Sequence, residues 1–265
     1  MDELVPLLEF DPAPTALIEP SEVFARRPRI PEVAVLCFFA EVIEALAASP
    51  ETRVIGSLRA AHGAHEIYGI RRHGQDVAVF HPGVGAPLAA AFLEEAIALG
   101  ARRVVACGGA GAVVPELALG QVVVPTAAVR DEGTSFHYLA PGRQVEAGPG
   151  GVATAQRVLQ EADVAHQLGL TWTTDGIFRE TRDRIARRRA EGCVTVEMEA
   201  AAFFAVARFR GIAFAQLLYA GDDVSGERWA HRRWHRSPSR QLTFDLAVDV
   251  ALALEAAGVD AAGGQ

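Results

Sequence analysis

Val33-Ala34-Val35-Leu36-Cys37-Phe38 is an unbroken apolar run with no polar residue interleaved. A strand with one wet face alternates, so a continuous run suits a strand buried on both faces. The rest of the chain repeats the theme. Residues 40–48 read as a helix, and 53–58, 66–71 and 76–81 as strands with Gly74 in the last turn. Helical spacing over 86–99 precedes a strand at 104–107, which ends in Gly108-Gly109-Ala110-Gly111, and a further strand follows at 121–129. A surface loop near 141–151 leads to a helix at 151–162, a strand at 167–173 and a helix at 180–191. Strand 193–196, helix 198–210, strand 212–219 and a C-terminal helix near 241–257 complete the pattern. Alternating strands and helices imply an α/β protein with a mainly parallel or mixed central sheet. Residues 1–31 are proline-rich and weakly periodic, which predicts an extended N-terminal arm before one domain over 32–265. In such folds ligands sit at the C-terminal ends of strands.

Composition narrows the chemistry. Acidic residues outnumber basic ones 33 to 25, a net charge of −8, which argues against binding nucleic acid through its phosphates. All the basic residues are arginine, and the chain has neither lysine nor asparagine. That excludes Schiff-base chemistry, a P-loop or kinase lysine, and N-glycosylation. Cys37, Cys107 and Cys193 lie in or beside apolar runs at wide spacing, the pattern of reduced, buried thiols. The acidic, proline-interrupted start lacks the features of a signal peptide, and no apolar stretch approaches the ~20 residues that span a bilayer. A cytoplasmic protein with no membrane partner is expected.

Two glycine-rich turns follow strands: His81-Pro82-Gly83-Val84-Gly85-Ala86-Pro87 and Cys107-Gly108-Gly109-Ala110-Gly111. The first opens into a helix, whose amides and dipole can hold an anion or hydroxyl. Tight turns need glycine in any case, and Pro87 with Leu88 breaks a dinucleotide fingerprint. Glu197-Met198-Glu199 stands where a strand becomes a helix. Its bland reading is helix capping; its functional reading is a carboxylate at a strand end that accepts both hydrogens of a vicinal diol. Gly221-Asp222-Asp223 brings two carboxyls to the same rim, where an ordinary turn is the alternative to a partly desolvated acid. His62 with His65, and His231 with His235, have helical metal-ligand spacing, but the second pair lies in a cationic stretch, and no metal site is expected. The arginines between Arg179 and Arg189, with Glu180 and Asp183, read as a solvated helix face.

In order, Gly83-Val84-Gly85-Ala86-Pro87, the 108–112 glycine segment, Arg130-Asp131-Glu132-Gly133-Thr134-Ser135, Thr174-Asp175-Gly176-Ile177-Phe178, Val196-Glu197-Met198-Glu199-Ala200 and Gly221-Asp222-Asp223 resemble the nucleoside phosphorylase/uridine phosphorylase family, which also holds hydrolytic nucleosidases. The similarity spans roughly 33–257. It implies an α/β fold around a mixed, barrel-like sheet flanked by helices, and cleavage of the N-glycosidic bond of a nucleoside. By the resemblance, Met198 and Glu199 line the ribose beside Glu197, with Glu199 holding the 2′- and 3′-hydroxyls. Asp223 matches the aspartate that serves a purine at N7, with Asp222 beside it able to share or take that role; Ile177 and Phe178 match the apolar wall against the base. An aspartate there leans towards purines, since uracil has no N7.

The segments that hold phosphate in this family depart from its pattern: Cys37-Phe38-Phe39-Ala40 replaces a Gly-Asp-Pro-x-Arg turn, and Ala106 and Gly109 replace an arginine and a hydroxyl residue. The reading is therefore phosphorolysis with phosphate as co-substrate and no cofactor, His81 or Arg130 supplying positive charge and the amides around Gly83, Gly85, Gly108 and Gly109 cradling the anion. Hydrolysis and non-catalytic nucleoside binding are the alternatives. The family's shared sites imply a homo-oligomer, a dimer or a hexamer, across whose interface the arm can pack.

Overall fold

A computed structural model describes residues 5–61, 63–233 and 239–256; His62, Trp234 and His235 lie outside them, and the C-terminal helix ends at Ala253, short of the expected residue 257. Within these residues one ten-stranded sheet organises the chain. Strands β1 (Val33–Cys37), β2 (Arg53–Ala60), β3 (Gly63–Arg72) and β4 (Gln75–Phe80) form one wing. β5 (Arg103–Ala112), β6 (Val122–Asp131), β8 (His166–Thr174), β9 (Cys193–Glu197) and β10 (Ala213–Asp223) form the other, and β7 (Gln144–Glu146) is a short addition beside β6. The order β10-β6-β8-β9-β5-β1-β4-β3-β2, with β10 also paired to β5, closes five strands into a ring. β5–β10, β6–β8 and β8–β9 run parallel, whereas β10–β6 and β5–β9 run antiparallel. The mixed barrel is therefore the closed half of a larger sheet.

Burial on both faces of the sheet explains the unbroken apolar runs. Ala34 and Leu36 of β1 face a core shared with helices α3 (Ala86–Leu99) and α6 (Ala200–Arg210), through Phe92, Leu93, Phe203 and Phe204. Val33, Val35 and Cys37 face the opposite core, with Phe244, Leu246 and Val248 of α7 (Ser239–Ala253) and Leu159 of α4 (Pro149–Glu161). Two-residue periodicity is thus present in the structure and hidden in the sequence, because both sets are apolar. All three cysteines are free and buried, Cys37 opposite Cys107 in the β1–β5 register. No helix among the described residues is long and apolar enough to cross a membrane.

Four expectations are corrected. Gly108 to Ala112 continue β5 rather than leaving it as a turn. A Cβ on Gly108 would come within 3.0 Å of Phe38, and one on Gly111 within 3.0 Å of Val196, so the glycines admit neighbouring side chains close to the strand. The 141–151 segment is not all loop, since it contains β7 and the start of α4. Residues 1–31 are not simply extended: a 3-10 turn occupies Pro6–Leu8 and a short helix, α1, Pro20–Val23, while α2 (Ala40–Ala48) follows β1 as expected. The arm lies on its own chain, with Ile30 N–H donating to the Leu99 carbonyl at 3.0 Å and Glu19 3.4 Å from Arg210. Finally, α5 (Arg182–Ala190) is not a purely solvated face. Arg188 is buried against Trp172 and pairs with Asp131 at 3.1 Å; Arg189 donates to the carbonyls of Val113 and Ser225. A guanidinium that serves carbonyls on two other segments acts as a strut.

Candidate active site

The C-terminal ends of β5, β9 and β10 meet around a cavity of about 290 Å3, at the small end of the ~300–1,000 Å3 range of small-molecule sites. Gly108, Gly109, Ala110 and Gly111 of β5 form one wall, and Glu197, Met198 and Glu199 the rim after β9. Asp222 closes the β10 side, with Phe38, Val84 and Ile177 among the apolar lining. Most of the expected residues are thus brought together by strand ends.

Local structure assigns the two glutamates different tasks. α6 begins at Ala200, two residues later than the sequence pattern suggests, so Glu199 is its N-cap residue. Its side chain does not cap. The cap is Glu197, whose Oε2 accepts from the Glu199 and Ala200 amides at 2.8 and 2.6 Å. Its Oε1 accepts from Thr173 Oγ1 at 2.6 Å. Glu199 is left to reach across to the other glycine turn, where the Gly85 N–H donates to its Oε1 at 2.6 Å. Gly85 is the N-cap of α3 with φ of +92°, a conformation glycine adopts at little cost. Burial drives both carboxyls upward, Glu197 to about 7 and Glu199 to about 8, and Glu197 adds its repulsion to Glu199. Glu197 accepts from Thr173 and from two backbone amides, and these bonds favour its charged form; Glu199 is pushed up by burial and then by the neighbouring Glu197.

The aspartate pair separates because successive strand residues face opposite ways. Asp222 lines the cavity; Asp223 does not. Asp223 Oδ1 instead accepts from the Ser225 amide at 2.7 Å, and its Oδ2 lies 3.8 Å from Arg232. Of the two aspartates expected to serve as the acid, Asp222 is therefore the one that reaches the cavity. Ile177 and Phe178 separate in the same way: Ile177 lines the cavity, while Phe178, one step along a 3-10 turn, is 94% exposed.

Neither expected source of positive charge reaches the cavity wall. Arg130 stacks 4.0 Å over Phe136 and donates to Ser135 Oγ and the carbonyls of Ala140 and Leu139, which spends its guanidinium on fixing the 135–140 loop. His81 Nδ1 accepts from the Gly83 amide at 3.0 Å, and the half-buried ring is held below its ordinary pKa by desolvation and then by His65. Its Nδ1 is an acceptor there, not a donor to an anion. The Gly83 and Gly85 amides proposed to cradle an anion are thus already donated to His81 and Glu199. Among the described residues no group of three or more His, Cys, Asp or Glu side chains could hold a metal ion.

Two lining residues carried no usable signal in the sequence. Glu180 sits between the 3-10 turn and α5, where it reads as part of the charged helix; burial and then Asp222 push its carboxyl up to about 7. Arg240, from the first turn of α7, packs 4.8 Å over Phe39 and lies 2.8 Å from Glu41. Nothing local distinguishes it from a surface arginine.

Comparison with known proteins agrees with this architecture. Residues 32–252 match the model of the phosphorylase superfamily. A guanosine phosphorylase of Halorubrum lacusprofundi is 29% identical over 157 residues, 58% of this chain and 64% of the relative. A uridine phosphorylase of Treponema pallidum is 32% identical over 149 residues, 51% of this chain and 57% of the relative. The matches span less than two thirds of the length of these curated relatives. Among solved structures, a uridine phosphorylase of Vibrio fischeri bound to 6-hydroxy-1-naphthoic acid superposes with a TM-score of 0.70 at 21% identity, over 85% of this chain and 91% of the other. A purine nucleoside phosphorylase of Toxoplasma gondii in complex with immucillin-H gives 0.69 at 19% identity, over 85% and 90%. The chain belongs to the phosphorylase superfamily, the family of the uridine and purine nucleoside phosphorylases.

Proposed function

We propose that the chain cleaves the N-glycosidic bond of a purine ribonucleoside, with phosphate as the attacking group and the free base and ribose 1-phosphate as products. The observation that carries this reading is the placement of Glu199 and Asp222 in one cavity at the ends of different strands. Glu199 accepts hydrogen bonds from the ribose hydroxyls and, once ionised, stabilises the oxocarbenium-like sugar. Asp222 gives a proton to the base nitrogen as the C–N electron pair leaves with the base. A phosphate oxygen then forms the new bond to C1′. Glu197 and Met198 support the sugar, and the backbone of Gly108 and Gly109 lets the ligand approach the wall of β5. In this reading no cofactor takes part, and a second copy of the chain completes a homo-oligomer.

Hydrolysis is the second reading, and one observation favours it. Among the described lining residues Arg240 is the sole cation, against Glu180, Glu197, Glu199 and Asp222. A dianion entering that field meets repulsion that water does not. The two readings divide on the sugar product. A nucleoside panel is incubated with and without millimolar phosphate and the products are separated. Ribose 1-phosphate establishes phosphorolysis; free ribose at a rate indifferent to phosphate establishes a nucleosidase; no base release from any nucleoside removes both.

A further inference from the structure

The Asp222 carboxyl has a second partner outside the cavity. The indole N–H of Trp229 donates to its Oδ2 at 2.5 Å, although the Trp229 side chain belongs to no core and is 62% exposed. The loop after β10 is built to deliver it. Asp223 and Ala230 exchange two backbone hydrogen bonds of 2.9 Å, folding the loop back on the strand. Arg232 donates to the Asp222 and Leu117 carbonyls at 3.1 and 3.0 Å, while α5 holds the loop from the other side through Arg182 to Glu227 O and Arg189 to Ser225 O. His231 stands edge-on to the indole at 5.3 Å. The other oxygen, Oδ1, lies 3.5 Å from where a Cβ would sit on Gly111, a residue of the cavity wall. One carboxyl oxygen is therefore held from the solvent side and the other turned inward.

We propose that Trp229 is a positioning residue, whose indole N–H fixes the Asp222 carboxyl with Oδ1 towards the cavity and stabilises the carboxylate left when its proton passes to the departing base. The inference rests on the role proposed for Asp222. An N–H bond to an ionised acceptor is stronger than one to a neutral acid, so the interaction grows as the proton leaves and acts on the transition state more than on substrate binding.

Trp229→Phe keeps the ring and removes the donor. The expected result is a kcat lower by about tenfold with KM and the melting temperature little changed. In the Asp222→Asn background the same substitution should change kcat by less than about twofold, because the coupled partner is already gone. Equal losses in both backgrounds would make Trp229 a structural residue, and a raised KM at constant kcat would make it a stacking surface for the ligand; either overturns the proposal. A spectroscopic arm needs no substrate: the indole N–H resonance that disappears in Trp229→Phe should move in Asp222→Asn, and an unmoved resonance also overturns it. If Asp222→Asn leaves kcat intact while that resonance moves, the proposed acid is wrong and the contact is real.

Discussion

Burial holds the Glu199 carboxyl near 8, against 4.5 when free, so the native state binds a proton there that the unfolded chain has lost at neutral pH. The sign follows: for an acid whose native pKa is raised, stability falls as pH rises from about 4.5 to about 8. Glu199→Gln should therefore melt higher than the parent above pH 8 and show little difference near pH 4, as a pair of calorimetric scans would reveal. Its cost should appear in turnover. A charge-assisted bond to a hydroxyl is worth ~1.5–3 kcal/mol, so the loss on ribonucleosides should exceed the loss on their 2′-deoxy analogues by roughly tenfold or more; equal losses would leave Glu199 a structural carboxyl. The neighbouring aspartates should divide differently. Asp222→Asn should reduce kcat on purine nucleosides by roughly 10²–10⁴-fold, the usual cost of a lost general acid. Asp223→Asn should act on stability first, since its carboxylate accepts from the Ser225 amide and faces Arg232. The opposite ranking would return the acid to Asp223, the position the family resemblance alone selects.

At the level of elements, the junction of β8, β9 and α6 turns on one hydroxyl. Thr173 Oγ1 donates to Glu197 Oε1 at 2.6 Å and accepts from the Ala201 amide at 3.0 Å. Thr173→Val keeps the volume and strands both buried partners, so unfolding should become easier by about 2–3 kcal/mol, read from denaturant midpoints; a change under ~0.5 kcal/mol would show that water replaces the hydroxyl. This junction also marks how far a sequence reaches. The β9–α6 boundary and the Glu197-Met198-Glu199 rim were legible because a strand must end where a helix with acidic entry begins. The exchange of roles between Glu197 and Glu199 was not, since either carboxyl satisfies the same pattern. Gly108 to Gly111 read as a turn because glycine is rare inside strands, and only the packing of Phe38 and Val196 against them explains the exception. Glu180 and Arg240 stayed hidden for a simpler reason. Their burial comes from elements distant in sequence, while their neighbours are the charged residues of solvated helices.

For the molecule as a whole, Glu180, Glu197 and Glu199 are all raised, from 4.5 to about 7, 7 and 8. Their contributions share a sign, so the melting temperature should be lower at pH 8.5 than at pH 5.5, and substituting Glu199 should flatten the difference. A protein tuned only for stability would not gather these groups around one cavity; their cost to the fold is consistent with a site that uses them. The ring of five strands has a consequence in time as well. Arg103 of β5 pairs with Ala213 of β10, 110 positions later, and the chain between them contains β6 through β9. Contacts of such separation form late, after the intervening elements have found their places. Both walls of the cavity, the glycines of β5 and Asp222 of β10, come together only when that seam closes. Until then there is nothing for a ligand to grip, so a ligand of this cavity should slow unfolding and leave the rate of folding unaltered.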